Sequence, residues 1–192
     1  MGLTAAWLIG MGSIFFWISQ YTARPGDTGE PPVRWPVESA LRPATNQPTL
    51  LVFIHPHCPC SRATLRELDL LIAQCEGAVR TIVIFSKPDG TAADWGDTDL
   101  WRTAGQMRGA TSFLDSGETE SRRFQAETSG LALLYNERLE LVFNGGITFA
   151  RGHSGDNPGR TAVVDLVRHT ISRGVKTPVF GCQLFDQECR KP

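Results

Sequence analysis

The chain has 192 residues, room for one domain of roughly 130 to 150 residues plus appendages. Its 19 basic and 20 acidic residues leave a net charge of −1, so no electrostatic case exists for nucleic acid as a partner. Five cysteines fall at 58, 60, 75, 182 and 189, an odd number that cannot pair completely within one chain.

Residues 2–23 carry no charge and are strongly apolar, and they reach the roughly 20 residues that a helix needs to cross a bilayer. The spacing predicts a transmembrane anchor over residues 1–23, with a signal peptide as its rival. A cleaved signal wants a basic start and a small-x-small cleavage site, whereas the first basic residue is Arg24 and the residues before it are Tyr21, Thr22 and Ala23. Arg24, Arg34 and Arg42 all follow the span, so the positive-inside rule gives no orientation. Residues 24–48 read as a linker: Pro25, Gly26, Pro31 and Pro32 open it, Pro36, Pro43 and Pro48 follow, and Trp35 and Val37 are expected on the rim of the domain. The folded domain is expected over 49–175, with a cysteine-containing tail over 176–192.

Residues 49–54 are apolar and β-branched without alternation, the pattern of a central strand covered on both faces. The run ends in His55-Pro56-His57-Cys58-Pro59-Cys60, and a helix pattern starts at Ser61. Two thiols and two imidazoles thus stand at a strand-to-helix junction. Unpaired N–H groups and the helix dipole favour an anion there. A cysteine at that point ionises more readily, and the thiolate is the form that attacks disulfides or binds soft metals. Pro59 fits a first helical turn, where its missing N–H costs nothing. Cys58 and Cys60 have one residue between them, so a disulfide joining them closes a small, strained and labile ring. The spacing does not suit a structural zinc site, which needs two to four intervening residues and a distant second pair. Both cysteines acting as buried small side chains is the plain alternative.

Farther on, Cys75 continues the apolar face of the first domain helix and reads as a structural thiol. A strand is expected at 79–85, a polar loop at 86–96, a helix at 99–108, a short strand at 111–115 and an exposed amphipathic helix at 117–126. Residues 131–136 and 139–143 predict a hairpin turning at Glu137 and Arg138. Apolar residues at 163, 164, 167 and 171 predict a last helix over 160–171. Cys182 and Cys189, in the tail, are expected to close a small loop disulfide in an oxidising compartment. Strands alternating with helices imply an α/β domain with parallel pairing, and the hairpin adds an antiparallel edge to a mixed sheet.

With the reactive motif at the strand-to-helix junction, this order resembles the thioredoxin fold, a three-layer α/β fold with a mixed central sheet, here preceded by the transmembrane helix. Phe113 to Asp115, Phe124 to Ala126, Leu133 to Asn136 and Gly145-Gly146 are similar to membrane-tethered thioredoxin-like proteins working outside the cytoplasm. The His-Pro-His-Cys-Pro-Cys motif, Asn144 to Thr148 and Arg151 to Asn157 also resemble a bacterial group labelled RedB. Two departures stand out. Matching Pro59-Cys60 to the end of a Cys-x-x-Cys motif puts His57 where the attacking cysteine belongs, so that thiol is Cys58 in a shifted geometry or is absent. The place of the fold's cis-proline holds Thr128, Ser129 and Gly130.

The resemblance implies that the loop bearing His153 lies beside the motif; by residue type, Asp156 and Asn157 cap the last helix or turn into it. Three readings follow. The first is an extracytoplasmic, membrane-tethered thiol–disulfide oxidoreductase acting on protein thiols and disulfides, with Cys58 and Cys60 exchanging and His57 tuning them. The second is a copper-binding protein with Cys58, Cys60, His55, His57 and His153 as ligands, since thiolates and imidazoles suit copper. The third is a catalytically silent interaction domain.

Overall fold

In the computed structural model, which describes residues 2–169 and 174–185, the apolar run forms β1 (Thr49–Ile54), buried at every position. The next segment is α2 (Ser61–Cys75), preceded in the chain by α1 (Gly2–Ala23). On α2, Leu65, Leu68, Leu71, Ile72 and Cys75 recur at helical spacing and form its buried face. The helix stops at Glu76, whose left-handed backbone (φ 52°) ends the hydrogen-bond ladder. Then come β2 (Arg80–Lys87), α3 (Asp99–Gln106), β3 (Ala110–Ser116), α4 (Thr119–Arg123), β4 (Leu131–Tyr135), β5 (Leu141–Gly146), α5 (Pro158–His169) and β6 (Val175–Lys176).

The strands form one six-stranded sheet in the order β3-β2-β1-β4-β5-β6. β1 pairs in parallel with β2 and antiparallel with β4, so it lies at the centre. β3 extends the sheet in parallel beside β2, and β6 lies parallel to β5. The expected mixed sheet therefore forms, but its hairpin is interior on that side, because the chain after α5 supplies the edge strand. The connection between β4 and β5 is longer than a two-residue turn: Asn136 Oδ1 accepts hydrogen bonds from the Arg138 and Glu140 N–H groups, and Leu139 adopts φ 62°. The second strand consequently starts at Leu141 instead of at position 139.

Side chains alternate between two cores, one on each face of the sheet. Leu50, Val52 and Ile54 point toward α2, α3 and α5, meeting Leu68, Leu100, Val163 and Leu166. Leu51 and Phe53 point the other way, toward Phe124, Trp35, Leu41, Val179 and Leu184. The layer on this second face is mostly extended chain. The helix expected over 117–126 shrinks to α4, and its neighbours Phe124 and Ala126 are buried, as are Glu120 and Ser121 within it. Buried Asp115 caps the start of α4, its carboxylate accepting from the N–H groups of Glu120 and Ser121 and from the Ser121 hydroxyl, and Gln125 just past its end adopts a left-handed backbone (φ 50°).

Residues 31–41 lie on this face as well. Trp35 is buried edge-on against Phe124 and Tyr135, at 5.2 Å from each, whereas Val37 is 97 % exposed. Tyr135 donates its hydroxyl hydrogen to the Pro32 carbonyl, and Glu120 accepts from the Ser39 hydroxyl at 2.6 Å.

The charge-free N-terminal segment folds as the 22-residue α1, as its composition predicts, and Trp7, Ile9, Phe15, Phe16, Trp17 and Tyr21 on it are exposed. The expectation of a transmembrane helix is corrected, since among the described residues no helix is long and apolar enough to cross a membrane. At the end of α1, the Thr22 carbonyl accepts from the Arg151 N–H, and the Arg151 guanidinium lies 5.2 Å over the Tyr21 ring.

Candidate active site

The C-terminal end of β1 delivers His55 to Cys60 into a tight turn. The Cys58 N–H bonds the His55 carbonyl at 3.0 Å, and the Ser61 N–H bonds the Cys58 carbonyl at 3.1 Å, which starts α2. His55 is buried and its Nδ1 accepts the His57 N–H at 3.2 Å. A ring nitrogen that accepts a backbone N–H carries no proton, so the neutral ring is protonated at Nε2. Burial holds the His55 pKa below the usual histidine value, although the Cys58 thiolate opposes the shift. His57 is exposed, with its ring edge-on to Trp95 at 4.4 Å.

The segment before β4 faces this turn. Ser129 Oγ accepts the His55 N–H at 2.9 Å and shares a 2.8 Å hydrogen bond with Ser61 Oγ, while the Gly130 N–H bonds the Phe53 carbonyl at 2.7 Å. In the place of a proline, a serine thus ties β1, α2 and β4 together.

The third wall is the tail. Cys182 Sγ lies 2.9 Å from Cys58 Sγ, and both are free thiols. Cys58 is 1 % exposed, whereas Cys60 and Cys182 are partly exposed. Cys182 is the largest influence on the ionisation of Cys58, followed by Cys60, with the Cys182 backbone and Ser61 adding to it. Together these groups drive the Cys58 pKa far below the ordinary thiol value against the cost of burial. Cys182 shifts strongly upward, because the Cys58 and Cys60 sulfurs and burial all favour its protonated form. Cys60 is pulled down by Cys182 but pushed up further by Cys58 and burial, and Arg151 partly offsets this. Cys75 lies apart within α2, its thiol pushed up to about 11 by burial.

These surroundings favour ionisation of Cys58 over that of Cys60 and Cys182. No family model matches the chain, and no curated protein matches it by sequence. Among solved structures, an uncharacterised conserved protein of Geobacillus kaustophilus aligns over 84 % of this chain and 92 % of its own, with 15 % identity and a TM-score of 0.61. A hypothetical protein of Sinorhizobium meliloti aligns over 73 % and 80 %, with 16 % identity and a TM-score of 0.59. A secreted disulfide oxidoreductase of Mycobacterium tuberculosis aligns over 63 % and 80 %, with 16 % identity and a TM-score of 0.44. The strand order, with β4 antiparallel to both β1 and β5 and β1 parallel to β2, is that of a thioredoxin-like fold. At such identities likeness speaks to the fold, and the chemistry has to come from the site itself.

On this thioredoxin-like scaffold the loop after β5 lies at the same end of the sheet as the cysteines, because β5 and β1 each pair antiparallel with β4. His153 is exposed and its Nδ1 is engaged with the Arg151 carbonyl at 2.8 Å. Arg151, which sequence reasoning did not single out, is the residue of this loop that reaches the thiols: its guanidinium donates to the Gly181 carbonyl and its charge acts on Cys60. Asn157 caps α5, accepting the Arg160 N–H at 2.7 Å.

Among the described residues no group of three or more His, Cys, Asp or Glu side chains is arranged to hold a metal ion. The sulfur contact that does form joins Cys58 and Cys182, at 2.9 Å. The expected Cys182 to Cys189 loop disulfide is replaced, on the Cys182 side, by this free-thiol contact, and Cys189 lies outside the described residues.

Proposed function

We propose that this protein is a thiol–disulfide oxidoreductase whose attacking group is the Cys58 thiolate. One observation carries the reading: the Cys58 sulfur stands just ahead of α2 with the Cys182 sulfur 2.9 Å away, surroundings that hold its pKa far below the ordinary thiol value. Such surroundings stabilise the nucleophilic form of a thiol at neutral pH. Cys58 attacks a disulfide of a partner protein, a mixed disulfide forms, and a neighbouring thiol resolves it. Within the Cys-Pro-Cys motif Cys60 is the nearest such thiol in sequence. His57 packs on Trp95 and helps shape the turn around Cys58.

Extracytoplasmic work at a membrane belongs to the same proposal. The exposed aromatic and aliphatic side chains of α1 favour an apolar surrounding, and the end of α1 is joined through Arg151 to the thiol site. The motif-level similarity to the RedB group agrees with a tethered redox protein.

The test is a single-turnover reaction of the reduced full chain with a peptide disulfide, followed by acid trapping. The wild type is expected to yield a mixed disulfide and then two peptide thiols per protein, and Cys58→Ser neither. Undiminished peptide reduction by Cys58→Ser would overturn the assignment.

A further inference from the structure

The segment 127–129 offers its backbone edge beside the reactive turn, and the chain's own tail takes it. The Ser129 N–H bonds the Cys182 carbonyl at 2.8 Å, the Leu184 N–H bonds the Glu127 carbonyl at 2.8 Å, and Thr128 pairs antiparallel with Gln183. Val179 and Leu184 are buried in the second-face core on either side of Cys182. A Cβ at position 181 would run into the Ser129 carbonyl oxygen, so the close approach depends on Gly181. This pairing fixes the strand register, and the register puts the Cys182 sulfur on that of Cys58.

The two candidate partners of Cys58 differ in kind. Cys60 lies two positions on, in the same turn, and a bond to it closes a strained ring. Cys182 is 124 positions away and already aligned, and forming a bond from 2.9 Å to the usual disulfide length of about 2.05 Å needs less than about 1 Å of movement. Closing a long loop also constrains the unfolded chain more strongly, which favours the bond.

We propose that Cys182 is the redox partner of Cys58, the working disulfide being Cys58–Cys182, and that the tail is a resident, cysteine-bearing strand on the 127–129 edge. This rests on the oxidoreductase reading and names its second thiol. For a partner disulfide to reach Cys58 the tail lifts, which leaves the Ser129 N–H and the Glu127 carbonyl for an extended partner segment. The Cys58 thiolate attacks one partner sulfur, breaking the partner disulfide, forming a mixed disulfide and expelling the first partner thiolate. Cys182 then gives up its proton and attacks the Cys58 sulfur, which breaks the mixed disulfide, forms Cys58–Cys182 and expels the second thiolate. Two electrons pass from Cys58 and Cys182 to the partner disulfide. The two partner thiolates take up the Cys182 proton and one proton from solvent.

The experiment oxidises the full wild-type chain with one equivalent of peptide disulfide, maps its disulfides by peptide mass spectrometry, and repeats the peptide-reduction assay on Cys60→Ser, Cys182→Ser and Cys189→Ser. A Cys58–Cys182 cross-link is expected in the wild type and in Cys60→Ser and Cys189→Ser, with release of the second peptide thiol lost in Cys182→Ser while its mixed disulfide accumulates. A Cys58–Cys60 bond in the oxidised wild type, or full release in Cys182→Ser with loss in Cys60→Ser, would overturn the inference and leave the oxidoreductase reading standing. Peptide reduction that survives Cys58→Ser would remove both. The wild-type map needs no variant, so misfolding of a substituted chain does not decide the outcome.

Discussion

Glu67 on α2 and Arg160 on α5 meet at 2.8 Å, with side chains 1 % and 11 % exposed. The same carboxylate accepts from the Gly155 N–H at 2.7 Å and from Asn157 Nδ2 at 3.0 Å. One buried charge thereby clamps the loop after β5, the start of α5 and the helix that carries the cysteines. Removing one partner of a buried, hydrogen-bonded pair leaves the other unpaired, at a cost of about 3–5 kcal/mol. Glu67→Ala should lose stability in that range by urea denaturation, and Glu67→Gln, which keeps one acceptor oxygen, for either Gly155 or Asn157, should lose less. Equal stability of Glu67→Ala and wild type would show that the clamp contributes nothing.

The buried ring of His55 makes acid stability a readout of the site. Its folded-state pKa lies below the unfolded value of 6.5, so the unfolded chain binds a proton first as pH falls. The contribution is present above pH 6.5 and is lost as pH drops toward the folded pKa. Unfolding free energy measured from pH 7.5 down to 5 should decline, and His55→Asn should flatten part of that slope. A slope identical in the variant would remove His55 from the account.

Thiol labelling should follow exposure and ionisation. Cys60 and Cys182 are partly exposed, Cys58 is covered by the tail, and Cys75 is both buried and shifted to about pH 11. Native alkylation with iodoacetamide at pH 8, followed by peptide mapping, should therefore leave Cys75 for last. Labelling of Cys75 ahead of the cysteines in the turn would contradict the structural role given to it.

Because Gly181 abuts the Ser129 carbonyl, Gly181→Val should lift the tail. Cys58 then becomes more accessible, and its alkylation should accelerate relative to wild type while the Cys75 rate stays the same. An unchanged Cys58 rate would mean that the tail does not control access.

If α1 seeks an apolar surrounding, the full chain should float with phospholipid vesicles in a density gradient, and a chain lacking residues 2–23 should remain at the bottom. Flotation of both, or of neither, would remove α1 as the tether.

Several features were legible in the residues alone because they depend on local pattern. Unbroken apolarity over 49–54 specified a strand covered on both faces, and the periodicity from Leu65 to Cys75 specified the buried face of α2. Asn157, read as a capping residue, caps α5. At 117–126 the helical pattern overran α4, whose start Asp115 caps and just past whose end Gln125 adopts a left-handed backbone. Glu67 looked like an ordinary surface residue on an amphipathic helix. Its partner lies 93 positions away, and nothing local announces it.

The site divides the same way. The placing of Cys58 and Cys60 at a strand-to-helix junction follows from local pattern, since a strand run, two prolines and a helix pattern are all encoded within about a dozen adjacent residues. The groups that surround them are brought there by the folded chain. Cys182 comes from the far end of the chain, held by backbone pairing with residues 127–129, and Arg151 displaces His153 as the loop residue that reaches the thiols. Backbone hydrogen bonds are made by every residue type, so the edge on which a tail docks leaves almost no mark in side-chain identity. The glycine at 181, required by a contact with Ser129, is a trace that this docking left in the sequence, and it becomes readable only once the two segments are seen side by side.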